Sequence, residues 1–351
     1  MEGIAYQERA SLGGRVPEDG QQAVMARIPQ FAQAVVDNAL SAPQGTPESL
    51  KTVVFNIERG MRFDATVDFL QTCPELQNID LILANELDDG CVRSGCQDVS
   101  ANLAKALGMN YAFGLEFIEL ANPDDPKGFH GNAIFSRYPI KWAEVLRLPE
   151  ENNWYFDRQR RIGGRLAILA LLDVGGREIG AVCVHLENRT GGAGRGRQME
   201  AILRRAAGRF PDQPVVIGGD FNTNTFDGRD VPAFLSLFAE LKAGAAPRDV
   251  ALYEPVLPLA ERFGFDYRAA NVIPAPTRRK PMHNAEGDVL SLQLDWLFTR
   301  GFSVAGKGMV STLLSDCGWK RPGGALDAYT GAEISDHNAI WARLGWYYFR
   351  R

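Results

Sequence analysis

The chain has 351 residues, 45% of them apolar and 23% charged, with a formal net charge of −5 and a pI near 5.6. That balance excludes a disordered chain and gives no overall attraction to a phosphate polymer, so an anionic substrate must be held by local basic groups or by metal. The five cysteines (Cys73, Cys91, Cys96, Cys183, Cys317) lack CxxC spacing, the N-terminus has no basic segment followed by an apolar run, and no stretch approaches the roughly 18 apolar residues of a membrane span. These features point to a cytoplasmic protein with no transmembrane segment.

Residues 1–48 read as an N-terminal extension, partly helical. A polar lead is followed by QQAVMARIPQFAQAVVDNAL, with apolar residues near helical spacing and Pro29 as a kink or a start, and then by the breaker cluster SAPQGTPES. From Lys51 the pattern is βαβα: TVVFNI, MRFDATVDFLQTC, DLILANE and DVSANLAKALG. Then come GNAIFSRYPI, RLAILALLDV, EIGAVCVHLE, the helical RQMEAILRRAAGRF, PVVIGGDFN, LQLDWLFTR and NAIWARLGW. The Gly-Gly between RLAILALLDV and REIGAVCVHLE predicts an antiparallel hairpin. GGAGRGR at 191–197 reads as a flexible basic loop.

The acids, amides and histidines gather at the ends of apolar runs. Asn56 and Glu58 end TVVFNIE, Glu86 ends DLILANE, His185 and Glu187 end AVCVHLE, and Asp220 and Asn222 end VVIGGDFN. Members two apart share a face of an extended chain. Asp295 and the Asp336-His337 pair precede their apolar runs, so all can meet at one edge only if those strands run opposite to the first four, which predicts mixed sheets. Burying several carboxylates beside histidines calls for a cation or mutual pairing, and hard oxygen donors such as Glu86, Glu58 and Asp336 suit Mg²⁺ or Mn²⁺.

In this order, FNIERG, LANE, HGNAIFSRYPI, VHLE, GGDFN, LDW and SDH resemble the motifs of the endonuclease/exonuclease/phosphatase superfamily. The resemblance spans residues 51 to about 346. It implies a four-layer α/β sandwich of two packed mixed β-sheets flanked by helices, with residues 49–351 as a metal-dependent catalytic domain.

The resemblance also implies roles. Glu86 is the principal metal ligand, with Glu58 as a second acid and Asp336 in support, and Asn56 lies near metal and phosphate. Asp220 orients or deprotonates the attacking water with Asn222 beside it. His337, oriented by Asp295, and His185 contact the phosphoryl group. The proton acceptor stays open between Asp220 and His337. His130 and Asn132 fall where relatives contact substrate.

Arg160 and Arg195 stand for basic clusters in DRQRRIGGR, RTGGAGRGR and TRRKP that would bind further phosphates, and Trp154, Tyr155 and Phe156 are candidates for base stacking. A small-molecule or lipid phosphoester is favoured over nucleic acid. The alternatives are a nuclease and a binding module that has lost catalysis. An apolar rim for a lipid would come from residues 301–319, which read equally as a buried strand.

Overall fold

A computed structural model describes residues 1–41 and 45–347, so part of the breaker cluster and the last four residues lie outside the described residues. Fifteen strands are described. They are β1 (Ala34–Asp37), β2 (Ser49–Arg59), β3 (Leu81–Asp89), β4 (Asn110–Glu119), β5 (Phe129–Ser136), β6 (Ile140–Arg147), β7 (Arg161–Gly163) and β8 (Leu166–Val174). They continue with β9 (Arg177–His185), β10 (Val215–Asp220), β11 (Arg278–Pro281), β12 (Val289–Leu292), β13 (Asp295–Arg300), β14 (Phe302–Val310) and β15 (Ala339–Trp346).

One sheet runs β1-β4-β5-β3-β2-β15-β14, with β7 on the flank of β4, and the second runs β13-β10-β9-β8-β6. Both are mixed, as the polar positions require. β2 and β3 are parallel, as are β9 and β10, whereas β15 is antiparallel to β2 and β13 is antiparallel to β10. The β8–β9 hairpin turns through Gly175 and Gly176, both at positive φ.

Three apolar cores make four layers. Val54, Leu83, Ile134, Ile168, Cys183 and Leu297 are buried between the sheets. Helices Phe63–Thr72 and Val99–Leu107 cover the outer face of the larger sheet, and Gly192–Arg209 and Val256–Arg262 cover that of the smaller. The sheets approach closely at the carboxyl end of β10. Gly219 has φ +147°, and a Cβ there would stand 1.9 Å from the Val184 carbonyl oxygen, so only glycine lets β9 and β10 come together next to the site.

Two sequence expectations are corrected and two open alternatives are decided. The helix in QQAVMARIPQFAQAVVDNAL covers only Gln21–Met25; Pro29 opens a short 3₁₀ turn, and Ala34–Asp37 pairs with β4 as an edge strand. Tertiary pairing overrides the helical spacing there. GGAGRGR is not a loop but the first two turns of Gly192–Arg209. Its glycines suit contact rather than flexibility, for a Cβ on Gly194 would meet Thr190 Oγ1 at 2.1 Å. Residues 301–319 supply β14, which pairs with β15, and not an exposed apolar rim. Trp154 is buried against Phe117 rather than free to stack a base.

The N-terminal segment joins the core of the larger sheet through Val16, Val24, Ile28 and Phe31, and Arg9 is fully buried with Nη2 donating to the Asp125 carbonyl at 2.8 Å. Each large apolar side chain buried this way contributes about 1.5–3 kcal/mol. Deleting residues 1–33 is therefore expected to lower stability by at least ~3 kcal/mol in urea unfolding. An unchanged midpoint would contradict this packing.

Candidate active site

The two sheets present their polar strand ends to one another. Asp220 sits opposite His185 on parallel β9 and opposite Asp295 on antiparallel β13, so β10 fixes three site residues by register alone. The buried amide of Asn85 crosses between sheets: its Oδ1 accepts from the Asp220 backbone N–H at 2.8 Å, and its Nδ2 donates to the Val184 carbonyl at 3.0 Å.

Simple alternation does not aim the acids. The pairing of β2 and β3 shifts register between Asn56 and Arg59, and that of β3 and β5 shifts between Ala84 and Leu87. Glu58, Glu86 and Asn222 all take positive φ, at 47°, 58° and 48°. Non-glycine residues rarely adopt this conformation, and its concentration in three motif residues marks bulges and turns that re-aim side chains.

Asp220 is the centre of the cluster. It is 2% exposed, and its Oδ2 accepts from Asn56 Nδ2 at 3.2 Å and lies 3.7 Å from both His185 Nε2 and His337 Nε2. Its Oδ1 accepts from the Asn222 backbone N–H at 2.9 Å. His337 Nδ1 faces Asp295 Oδ2 at 2.8 Å. Burial alone would depress the His337 ring, but Asp295 and Asp220 overcome it and raise its pKa to about 9.

Two further imidazoles are held in the same manner. His185 Nδ1 lies 3.0 Å from Glu116 Oε2, and Arg165 Nη1 lies 2.8 Å from His185 Nε2 and 3.1 Å from Glu116 Oε1. Burial works against ionising Glu116, yet His185 and Arg165 hold it down at about 2. His130 Nδ1 lies 2.8 Å from Asp88, which Arg93 clamps through two bonds.

Glu86, Glu58 and Asp336 sit beside arginines. Arg59 Nε is 4.0 Å from Glu86 Oε2, Arg62 pairs with Glu58, and Arg278 Nη2 donates to Asp336 Oδ2 at 2.7 Å. Burial would raise the Glu86 carboxyl, but Arg59 and then the three imidazoles hold it well below its ordinary value. Glu58 is pushed up, first by burial and then by the Asp336 charge. A carboxylate pair in that condition, among oxygen donors that include Asn56, fits a hard divalent cation. Asp220, Asp295 and His337 form a buried group with ligand atoms within 4.8 Å of one another, whereas Glu86, Glu58 and Asp336 are each partly exposed.

The remaining expected residues separate. Asn132 Oδ1 accepts from Asn85 Nδ2 at 3.0 Å and from the Glu86 backbone N–H at 3.3 Å, bracing Glu86 from within the sheet. Arg160 is exposed, with its guanidinium 5.0 Å over Tyr155. Arg195 is corrected: it is fully buried, paired to Glu254 and donating to the carbonyls of Thr190 and Phe226, so it braces its helix and cannot reach a substrate. Glu116, Asp88, Arg59 and Asn85 were not identified from sequence, and Arg165 was read only as a member of a phosphate-binding basic cluster, not as a partner of His185. LANE does carry Asn85, and DRQRRIGGR carries Arg165, but no spacing announces their partners.

A family model described as the Endonuclease/Exonuclease/phosphatase family matches residues 53–337. The chain belongs to that family. Its members hydrolyse phosphoester bonds and generally depend on a divalent metal. Uncharacterized protein YbhP of Escherichia coli K12 is 33% identical over 121 residues, which are 34% of this chain and 42% of that protein, so the match spans less than half of the relative.

Among solved structures, the endonuclease/exonuclease/phosphatase from Beutenbergia cavernae has a TM-score of 0.54 at 17% identity, covering 86% of this chain and 72% of that one. The human Nocturnin catalytic domain, solved with sulfate, has a TM-score of 0.50 at 14% identity and covers 91% and 98%. Staphylococcus aureus beta toxin gives 0.50 at 17%, covering 84% and 99%. At these identities the likeness establishes the fold, an α/β pair of mixed sheets flanked by helices.

His337 gives the pH prediction. Because its folded pKa is raised, the stability it contributes is full below its unfolded value near 6.5 and is lost as pH rises through about 9. In metal-free protein, NMR should place the ring titration near 9, and Asp295→Asn should lower it. A ring that titrates near 6.5 in both proteins would contradict the pairing.

Proposed function

We propose that the chain hydrolyses the phosphoester of a small-molecule or lipid-like substrate, using Mg²⁺ or Mn²⁺ held by Glu86 with Glu58, Asp336 and Asn56 in support. When bound, the cation supplies Lewis-acid polarisation of a phosphoryl oxygen and charge stabilisation. His337, kept protonated by Asp295, donates to a phosphoryl oxygen, and His185, held by Glu116 and Arg165, faces the same region. Asp220 then remains the acceptor for the proton of the attacking water, with Asn56 and Asn222 fixing its two oxygens. An imidazole with a pKa about 9 is a poor base at neutral pH, which is the reason to prefer Asp220.

The observation that carries the substrate class is the fate of the basic clusters. Seven of their ten members are in ion pairs with carboxylates: Arg161, Arg165, Arg189, Arg195, Arg197, Arg278 and Arg279. A polymer phosphate track needs free cations, and these are largely neutralised.

Beside the site, between the segment that follows Asn222 and the segment that precedes Asp295, lies a pocket of ≈ 440 Å³ lined by Leu237, Leu241, Val250 and Leu290. Such walls suit an apolar leaving group. The nuclease reading keeps one feature in its favour: Phe156 is 67% exposed next to Tyr155 and Arg160, a surface on which a base could stack.

Among the described residues no helix is long and apolar enough to cross a membrane. All five cysteines are free thiols, and this supports the cytoplasm as the proposed compartment.

Hydrolysis of single-stranded DNA, RNA, a nucleotide, an inositol phosphate, sphingomyelin and bis-p-nitrophenyl phosphate with Mn²⁺, across a salt series, tests both parts. Asp220→Asn and His337→Ala should each lower kcat by ~10²–10⁴. A small or lipid substrate should show a shallow salt dependence; a preferred polymer with a steep one would overturn the substrate class.

A further inference from the structure

A second cleft, of ≈ 650 Å³, lies between the N-terminal segment and the chain leaving β6. Apart from Arg165, which holds His185, its walls take no part in the chemistry above, and its volume is within the ~300–1,000 Å³ of small-molecule sites. Met25, Ile28, Phe31, Val145 and Leu148 give it apolar walls.

Its polar groups are only partly partnered. Arg147 donates to the carbonyl oxygens of Phe31, Leu115, Glu116 and Gly164, so its N–H groups are engaged, but among the described residues its charge is in no ion pair. Burial pushes its pKa down to about 9, the mark of a cation without a matching anion. Gln21, which also lines the cleft, is 2% exposed, and neither Nε2 nor Oε1 has a hydrogen-bond partner. Buried polar atoms are almost always paired, so an amide with both atoms free is an exception that a ligand would explain.

Asn152 Nδ2 is buried there too without a hydrogen bond, whereas Arg165 Nε faces Glu187 Oε2 at 3.5 Å. The acids on the wall are engaged elsewhere, Glu151 with Arg197 and Glu187 with Arg165, while Glu150 stands exposed. The groups left without a partner are thus two donors and one acceptor, beside one cation with no carboxylate partner, set against an apolar wall.

We infer that this cleft binds a small amphipathic acid, with its apolar body on Met25, Ile28 and Phe31 and its oxyanion head toward Arg147 and Gln21. The head is a carboxylate or a phosphate. Arg165 forms the inner wall of the cleft and contacts His185 on its other side, so the site lies directly behind the catalytic cluster without sharing its acids.

Calorimetric titration of the full chain in EDTA, where hydrolysis is silent, separates this inference from the proposed reaction. The probes are decanoate, decyl phosphate and decanol. One saturable site for an acid is expected, with decanol at least 10-fold weaker, and the tighter of the two acids identifies the head. Met25→Trp, which fills the apolar end, and Gln21→Leu, which removes the amide, should each weaken binding at least 10-fold while the melting temperature holds. No saturable binding of either acid would overturn the inference, as would decanol binding equally well or undiminished binding in a folded Met25→Trp.

Discussion

A carboxylate at 2% exposure is costly unless charges and hydrogen bonds surround it, and the placement of Asp220 organises much of this fold. Asn56 reaches it from the larger sheet, the Asn85 amide ties its backbone across the gap between sheets, and two imidazoles flank one oxygen at 3.7 Å each. Gly219 makes room for this arrangement, because a side chain there would collide with the neighbouring strand. The register of β9, β10 and β13 then delivers His185, Asp220 and Asp295 side by side.

The imidazoles follow a shared plan. His337 and His185 each give Nδ1 to a buried carboxylate and turn Nε2 toward Asp220, so their rings are fixed before any substrate arrives. Glu58 and Asp336 are in a different condition: Arg62 and Arg278 balance them only partly, since Glu58 remains pushed up by burial and by its neighbour. A divalent cation near Glu86 would relieve that repulsion.

Much of this was legible in the sequence, because strand ends carry their polar residues in order and the direction of each apolar run says which way its strand must point. Asp295 before its run and Asp220 after its own demanded the antiparallel pairing that β13 and β10 make. The seven ordered motifs supplied the family and the four-layer fold.

Partners set by non-local contact were not legible. Glu116 lies in a strand buried along its whole length, where no alternation marks it as a partner of His185, 69 residues away. Arg195 was misread for the converse reason: glycines around it suggested an open loop, but they are there to let the helix pack closely, and Glu254 consumes the charge. The edge strand Ala34–Asp37 was hidden because a short amphipathic run fits helix and strand alike, and β4 decided between them.

The claim on which the rest stands is that a cation completes the acid cluster at Glu86. Calorimetric titration of Mn²⁺ into the wild-type chain and into Glu86→Gln tests it without requiring a substrate. One saturable site, weakened at least ~30-fold or ~2 kcal/mol by the substitution, is the predicted result. Equal affinity in the two proteins, or no saturable site in either, would contradict the account.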